Sequence, residues 1–218
     1  CAARGKASLP VNDPERVTAI SNDIWDQIQK DPMGARLFNW GTGGNYEGAA
    51  GRIVAGTLPV KNYTTNEYPE TRLMTNQYAR EHWDHKGNPC WACRSHHCTM
   101  ITFTDGPYAG QTVEEPEYEM YAAWGPLIGN TDPAEALFLN NLVTRLGFEG
   151  NEAGFLVSMV QDLYEQEALS TADTGGLELR WGNTAAVRTL LERIARRDAG
   201  FPNVLAEGTM RAAEALGP

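Results

Sequence analysis

Apolar residues recur along this chain at spacings of three and four over most of its length. That is the period of amphipathic helices. Val17, Ile20, Ile24 and Ile28 mark one face of a first helix, which Asp13 caps, Pro14 opens and Glu15 follows as an early acid. The same opening recurs at Asp132 and Pro133, with Leu137, Leu142 and Leu146 inward and Gly147 as the stop. Asn151 is the expected cap of a helix carrying Phe155, Leu156, Met159, Val160 and Leu163. Thr184 is the expected cap of another, with Val187, Leu190, Leu191 and Ile194 on its buried face. The stretch 203–216 predicts a last helix. Strict alternation is confined to Thr99-Met-Ile-Thr-Phe-Thr, a short strand that Asp105, Gly106 and Pro107 would turn. Glycines at 41, 43, 44, 48 and 51 predict a turn leading into a short helix. Segment 57–64 is expected to be extended, because Pro59 disfavours helix before it. Residues 71–85 have the look of a polar helix. With no repeat, linker or low-complexity run, the pattern predicts a mostly α, multi-helical region across 1–218 with little strand.

Composition narrows the class. The chain has 218 residues, long enough for a sizeable core, and its 42% hydrophobic and 21% charged residues suit an ordinary globular domain. No window approaches the roughly 20 apolar residues of a membrane span. A formal net charge of −10 repels phosphate backbones, so nucleic acid is not an expected partner. The chain begins at Cys1 with no Met or signal segment and ends directly after a helical pattern, so a piece of a longer protein is expected.

Three of the four cysteines crowd into one loop, 87–98, as Cys90, Cys93 and Cys98. Disulfide frameworks spread cysteines over small secreted chains, whereas C-x2-C-x4-C packs soft donors onto one bend. Two centres are compatible with that spacing. Three thiolates can hold three corners of an iron–sulfur cubane, with a fourth ligand from elsewhere. Alternatively, the three cysteines with His96 or His97 make a Cys3His zinc tetrahedron. Cys1, far away in sequence, takes no role.

The neighbouring motifs bear on that choice. Gly-Thr-Leu-Pro-Val-Lys-Asn-Tyr at 56–63, the cysteine loop, Gly-Pro-Tyr-Ala-Gly at 106–110, Glu-Pro-Glu-Tyr-Glu at 115–119 and Trp-Gly-Pro at 124–126 follow one another in order. Leu-Val-Thr-Arg-Leu-Gly-Phe-Glu at 142–149, Leu-Glu-Leu-Arg-Trp-Gly at 177–182 and Asn-Val-Leu-Ala-Glu-Gly at 203–208 continue the series. Together, in this order and spacing, they resemble the aldehyde ferredoxin oxidoreductase family of tungsten bis-pterin enzymes over nearly the whole chain. The resemblance implies the second domain and the start of the third, with the N-terminal pterin-binding β domain and the C-terminal part of the third domain absent. It implies Cys90, Cys93 and Cys98 as ligands of a [4Fe-4S] cluster whose fourth ligand lies outside the chain. It implies Glu117 as the acid near the metal, and pterin contacts at Thr144, Gly147, Phe148 and Glu149. Two departures stand out. The family loop is C-x2-C-x3-C, one residue shorter, and the pterin segment Asp-x-x-Gly-Leu-Asp/Cys has Thr144 at its first acid and Glu149 at its last.

The implied activity is oxidation of an aldehyde to a carboxylic acid by a tungsten, or molybdenum, bis-pterin, with electrons leaving through the cluster to ferredoxin or a partner subunit in an anaerobic cytoplasm. An isolated fragment would be inactive. A homodimer is an option in the family, but this chain has no Glu-x-x-His, so a metal bridge of that kind is not expected. The contrasting expectation is a stand-alone iron–sulfur or zinc-stabilised electron-transfer or binding module without catalysis. Without the resemblance, Glu114, Glu115, Glu117 and Glu119 would be a solvated acidic face, His82 and His85 surface residues of a polar helix, and Trp40, Trp83, Trp124 and Trp181 packing residues.

Overall fold

The computed structural model describes Gly5 and residues 10–95 and 97–217, so Cys1 and His96 lie outside the described residues. Ten α-helices and three short strands are present among them. α1 (Pro14–Lys30) and α2 (Pro32–Trp40) form a hairpin in which Asp13 caps the first helix through Arg16 N at 2.9 Å and Asp31 the second through Gly34 N at 2.6 Å. The predicted stripe is on α1, but Val17, Ile20, Ile24 and Ile28 remain 38–56% exposed. Helical spacing set the face; nothing among the described residues covers it fully. A glycine-rich turn leads into α3 (Tyr46–Val54), capped by Asn45.

Segment 57–64 departs from the expected extended form. Only Val60 pairs, with Thr65, and Lys61, Asn62 and Tyr63 then take positive φ. The reason is tertiary. Lys61 N and Asn62 N donate to the carbonyls of Pro126 and Leu127, and the Asn62 amide donates to Asp162 at 2.9 Å.

The predicted polar helix over 71–85 splits. A 3-10 turn and α4 (Asn76–His82) end at Trp83, which is buried and takes an extended conformation. His85 then lies in β1 (Asp84–Gly87), so His82 and His85 do not share a helix, though both are exposed. β2 (Thr99–Thr102) is the predicted strand. It is central in an antiparallel sheet, with Gly87 opposite Thr99 and Met100 opposite Glu114 of β3 (Thr112–Glu114). The cysteine loop is therefore the connection between β1 and β2, and it closes with Asn88 N donating to Cys98 O at 2.8 Å.

α5 (Tyr118–Trp124) is the central helix, with Tyr121, Ala122, Ala123 and Trp124 buried. α6 (Pro133–Leu146) and α7 (Gly150–Glu165) pack on it, and α8 (Thr184–Arg196), α9 (Phe201–Leu205) and α10 (Thr209–Leu216) complete a second apolar cluster around Leu156, Val160, Leu190 and Ile194. Two caps fall earlier than the expected Asn151 and Thr184. Glu149 caps α7, accepting from Asn151 N and Glu152 N, and Asn183 caps α8. Phe155 on α7 is exposed. The predicted last helix is broken into α9 and α10 at Gly208, which has φ of 91°. No helix among the described residues is long and apolar enough to cross a membrane.

One ion pair holds the site segments in register. Arg80 on α4 places its fork on Glu115, with Nε to Oε1 and Nη2 to Oε2 both at 2.6 Å. Its Nη1 donates to Asn39 O at 2.6 Å and Nη2 to His97 O at 2.9 Å. Glu115 is only 2% exposed at its side chain. Burial pushes its carboxyl above the usual carboxylate range, while the Arg80 guanidinium pulls it back.

Two stability outcomes follow. Leu139→Ala, at a fully buried position on α6, is expected to cost about 2–5 kcal/mol in urea unfolding, whereas Ile24→Ser on the exposed stripe stays within about 0.5 kcal/mol. Arg80→Ala, which strands the Glu115 carboxylate, is expected to cost about 3–5 kcal/mol in the same assay.

Candidate functional site

Four segments meet at the site: the glycine turn after α2, the start of α4, the cysteine loop and the residues leading into α5. Glu117 is the N-cap residue of α5, yet its side chain caps nothing. Its Oε2 instead accepts a hydrogen bond from the Thr42 hydroxyl, which itself accepts from Tyr118 N at 2.9 Å. Its Oε1 lies 3.1 Å from His97 Nε2. The carboxylate is 45% exposed and the imidazole 27%. An acidic run expected to be solvated is thus divided. Glu114 and Glu119 face out, Glu115 is buried against Arg80, and Glu117 turns toward the cysteine loop.

The His97 ring is seated on glycine. A Cβ on Gly41 would lie 3.0 Å from ring carbon Cδ2 and 3.1 Å from Asn76 Nδ2, and Gly41 has φ of 59°, in the left-handed region. Asn76 anchors this turn by donating to Trp40 O at 2.8 Å. Arg52 braces its far side, donating to Thr42 O at 2.9 Å and stacking 4.0 Å over the Tyr118 ring. Beside Thr42 a cleft of about 540 Å³ opens between Arg36, Gly44, Arg52 and Thr57.

In the loop, Cys90, Cys93 and Cys98 are free thiols. Cys90 Sγ and Cys98 Sγ are 3.7 Å apart, and Cys98 Sγ is 3.7 Å from His97 Nε2. Cys93 is carried on a tight turn, its N–H donating to Cys90 O at 3.1 Å. Burial, Cys90 and the Glu117 and Glu114 carboxylates push the Cys98 thiol up to about 11. His97, Cys98 and Glu117 offer three donor atoms that all lie within 4.8 Å of one another. Three free thiols on one bend, with no other structural use, suit a thiophilic centre of the iron–sulfur or zinc type. Arg94 leaves the loop for α1, donating to Asn22 Oδ1 at 2.9 Å and lying over Trp25. Trp91 at the loop tip is 94% exposed.

Thr144, Gly147, Phe148 and Glu149 form the α6–α7 junction. Thr144 donates back to Asn140 O, and Gly147 ends α6. Phe148 wedges between the two apolar clusters, and Glu149 is exposed at the α7 cap. This junction packs against Met120 on α5, one turn beyond Glu117, and among the described residues no hydrogen bond joins it to the cysteine loop. The sequence reading did not single out Thr42 or Arg80, and it gave Gly41 only a turn and Glu115 only a place in the acidic run. Only the glycine-rich stretch hinted at them; Thr42 and Glu115 meet side-chain partners 35 or more residues away, and Arg80 also reaches His97, 17 residues on.

The profile of a family described as aldehyde ferredoxin oxidoreductase, domains 2 & 3, matches residues 19–218. Among individual relatives, an aliphatic sulfonate oxidoreductase, WOR-like subunit, of Pyrococcus furiosus is 30% identical over 215 residues, covering 97% of this chain and 33% of the relative. A tungsten-containing aldehyde ferredoxin oxidoreductase of the same organism is 29% identical over 220 residues, covering 99% of this chain and 35% of the relative. Its counterpart in Thermococcus kodakarensis is 27% identical over 221 residues, covering 99% and 35%. The chain thus spans about a third of the length of these relatives. The match runs through both apolar clusters, the cysteine loop and the approach to α5, and this chain belongs to the aldehyde ferredoxin oxidoreductase family, in the part formed by its domains 2 and 3.

Proposed function

We propose that this chain is the cluster-bearing helical part of a tungsten-dependent oxidoreductase that converts aldehydes to carboxylic acids and passes electrons through a [4Fe-4S] cluster to ferredoxin or a partner subunit. The observation that carries the reading is the convergence of Glu117 on the cysteine loop, its carboxylate 3.1 Å from the residue beside Cys98. Names of relatives support the metal: two are tungsten-containing enzymes. The third is named for aliphatic sulfonates, so the substrate within this family varies.

In this reading Cys90, Cys93 and Cys98 hold three corners of the cluster and the fourth ligand comes from outside the chain. A tungsten bis-pterin, held mostly outside this chain, would supply the two-electron chemistry, and Thr144, Gly147, Phe148 and Glu149 would contribute contacts to it. Aldehyde and water give acid, two protons and two electrons. Glu117 acts as the acid/base that takes a proton from water or holds one at the carbonyl. Thr42 and His97 occupy both carboxylate oxygens from the protein side, which leaves the remaining lone pairs for the substrate. The cleft beside Thr42 provides room for a small organic molecule.

A second reading has one observation in its favour. A 3.7 Å Sγ–Sγ separation suits the edge of a tetrahedron around one ion, about 3.8 Å for Zn–S bonds near 2.3 Å. A zinc site built on Cys90, Cys93 and Cys98 with His97 would make this a zinc-stabilised binding module, since zinc carries no electrons.

The complete enzyme, prepared anaerobically, is expected to be brown with about four irons per chain, and Cys98→Ser to abolish both. Stoichiometric zinc without colour contradicts the reading. In the complete enzyme, Glu117→Gln is expected to lower kcat by about 100-fold or more with iron content unchanged; unaffected turnover removes Glu117 from the mechanism.

A further inference from the structure

We propose that His97 is a positioning residue: its ring fixes the orientation of the Glu117 carboxylate and ties that orientation to the loop carrying Cys98. The proposal rests on the reading of Glu117 as the acid/base and Cys98 as a cluster ligand.

The geometry has three parts. First, Nε2 makes a hydrogen bond at 3.1 Å to Glu117 Oε1 and packs at 3.7 Å against Cys98 Sγ. Thr42 holds the other carboxylate oxygen, so both oxygens are gripped from the protein side. Second, the ring has a built seat. Gly41 leaves just the space it needs, since a side chain there would press on Cδ2 at 3.0 Å. Third, the His97 backbone is pinned from behind. Its carbonyl accepts from Arg80 Nη2 at 2.9 Å and from the Thr99 hydroxyl at 3.2 Å. A residue that merely spaces two cysteines in a loop needs none of these constraints.

The effect is one of order. Glu117 is half exposed at the end of a flexible side chain. Left to itself it would lose rotamer freedom only when substrate bound, which costs free energy at the moment of reaction. A carboxylate oriented in advance avoids that cost, and small misplacements of a catalytic group are expensive in rate. Because His97 directly precedes Cys98, any movement of the loop on taking up its cluster also moves the group that orients the acid. The contrasting role, His97 as a metal ligand with Cys98 and Glu117, uses the same atoms and predicts different outcomes.

The test uses His97→Ala, His97→Gln, Glu117→Gln and the double variant His97→Ala/Glu117→Gln. In the complete enzyme, loaded anaerobically, His97→Ala is expected to lower kcat by about 10–100-fold with KM changed less than about twofold. The double variant should be no slower than Glu117→Gln alone, because the two residues act as one unit. His97→Gln keeps an N–H donor and should recover part of the loss. Iron content and the electron paramagnetic resonance signal of the reduced cluster should be those of the parent in every variant. In the 218-residue chain by itself, the carboxylate stretching band that disappears in Glu117→Gln should shift in His97→Ala, a readout independent of turnover. Parent kcat and an unmoved band in His97→Ala, with Glu117→Gln inactive, overturn the proposal alone. Loss of iron in His97→Ala overturns it in favour of a ligand role. Losses that simply multiply in the double variant overturn it too. Full turnover in Glu117→Gln overturns the acid/base reading and this proposal with it.

Discussion

Arg80 is the point on which the site's geometry depends. Four segments separated in sequence by up to 76 residues come together there, and a single guanidinium on one of them, α4, binds the other three: Glu115 by both oxygens, Asn39 and His97 by their carbonyls. A planar fork of fixed donors suits this task and a lysine would not, since a point charge cannot aim four bonds in three directions. Burying such a pair is costly unless each remaining donor and acceptor finds a partner. Here the partners are the backbone groups whose positions matter. The cost of burying charge is offset by fixing the glycine turn, the cysteine loop and the entry to α5 relative to one another.

That arrangement explains why neighbouring acids have unlike fates. Glu115, Glu117 and Glu119 alternate along the chain, but Pro116 and the start of α5 turn the backbone between them. Glu115 falls on the Arg80 side and is lost to solvent. Glu117 falls on the loop side, where Thr42 and His97 take its two oxygens. The same residue type therefore supplies a structural pin, a candidate acid/base and a solvated surface charge within five positions. Context, not composition, decides which is which.

The helical part of the fold was legible because its signals are local. Asp132 with Pro133, the leucines of α6, and the apolar face of α8 each speak through period and capping chemistry. The larger departures have nonlocal causes. Segment 57–64 was expected to be extended, but it takes three left-handed residues because Asn62 is captured by Asp162, 100 residues away. The shift of the α7 cap from Asn151 to Glu149 is local: α7 begins at Gly150, and the Glu149 carboxylate accepts from the N–H groups of Asn151 and Glu152. The stripe of α1 was readable as a helix face, yet periodicity carries no information about what lies opposite. At the site, the cysteine spacing was readable and so was Glu117 through family resemblance. Gly41, Thr42 and Arg80 were not, since each acts only through a partner that the fold brings near.

The functional account joins these pieces: a loop of soft donors for a redox centre, and beside it a carboxylate held ready to manage protons. In the proposed reading the electron and proton exits lie side by side, which suits oxidation of an aldehyde with water as the source of oxygen. The most direct measurement is an anaerobic crystal structure of the complete enzyme. The account predicts Cys90, Cys93 and Cys98 on one iron–sulfur centre, with the Glu117 carboxylate joined to His97 and facing the substrate space. Thiols splayed onto separate surfaces, a disulfide within the loop, or a Glu117 side chain turned out to solvent would contradict it.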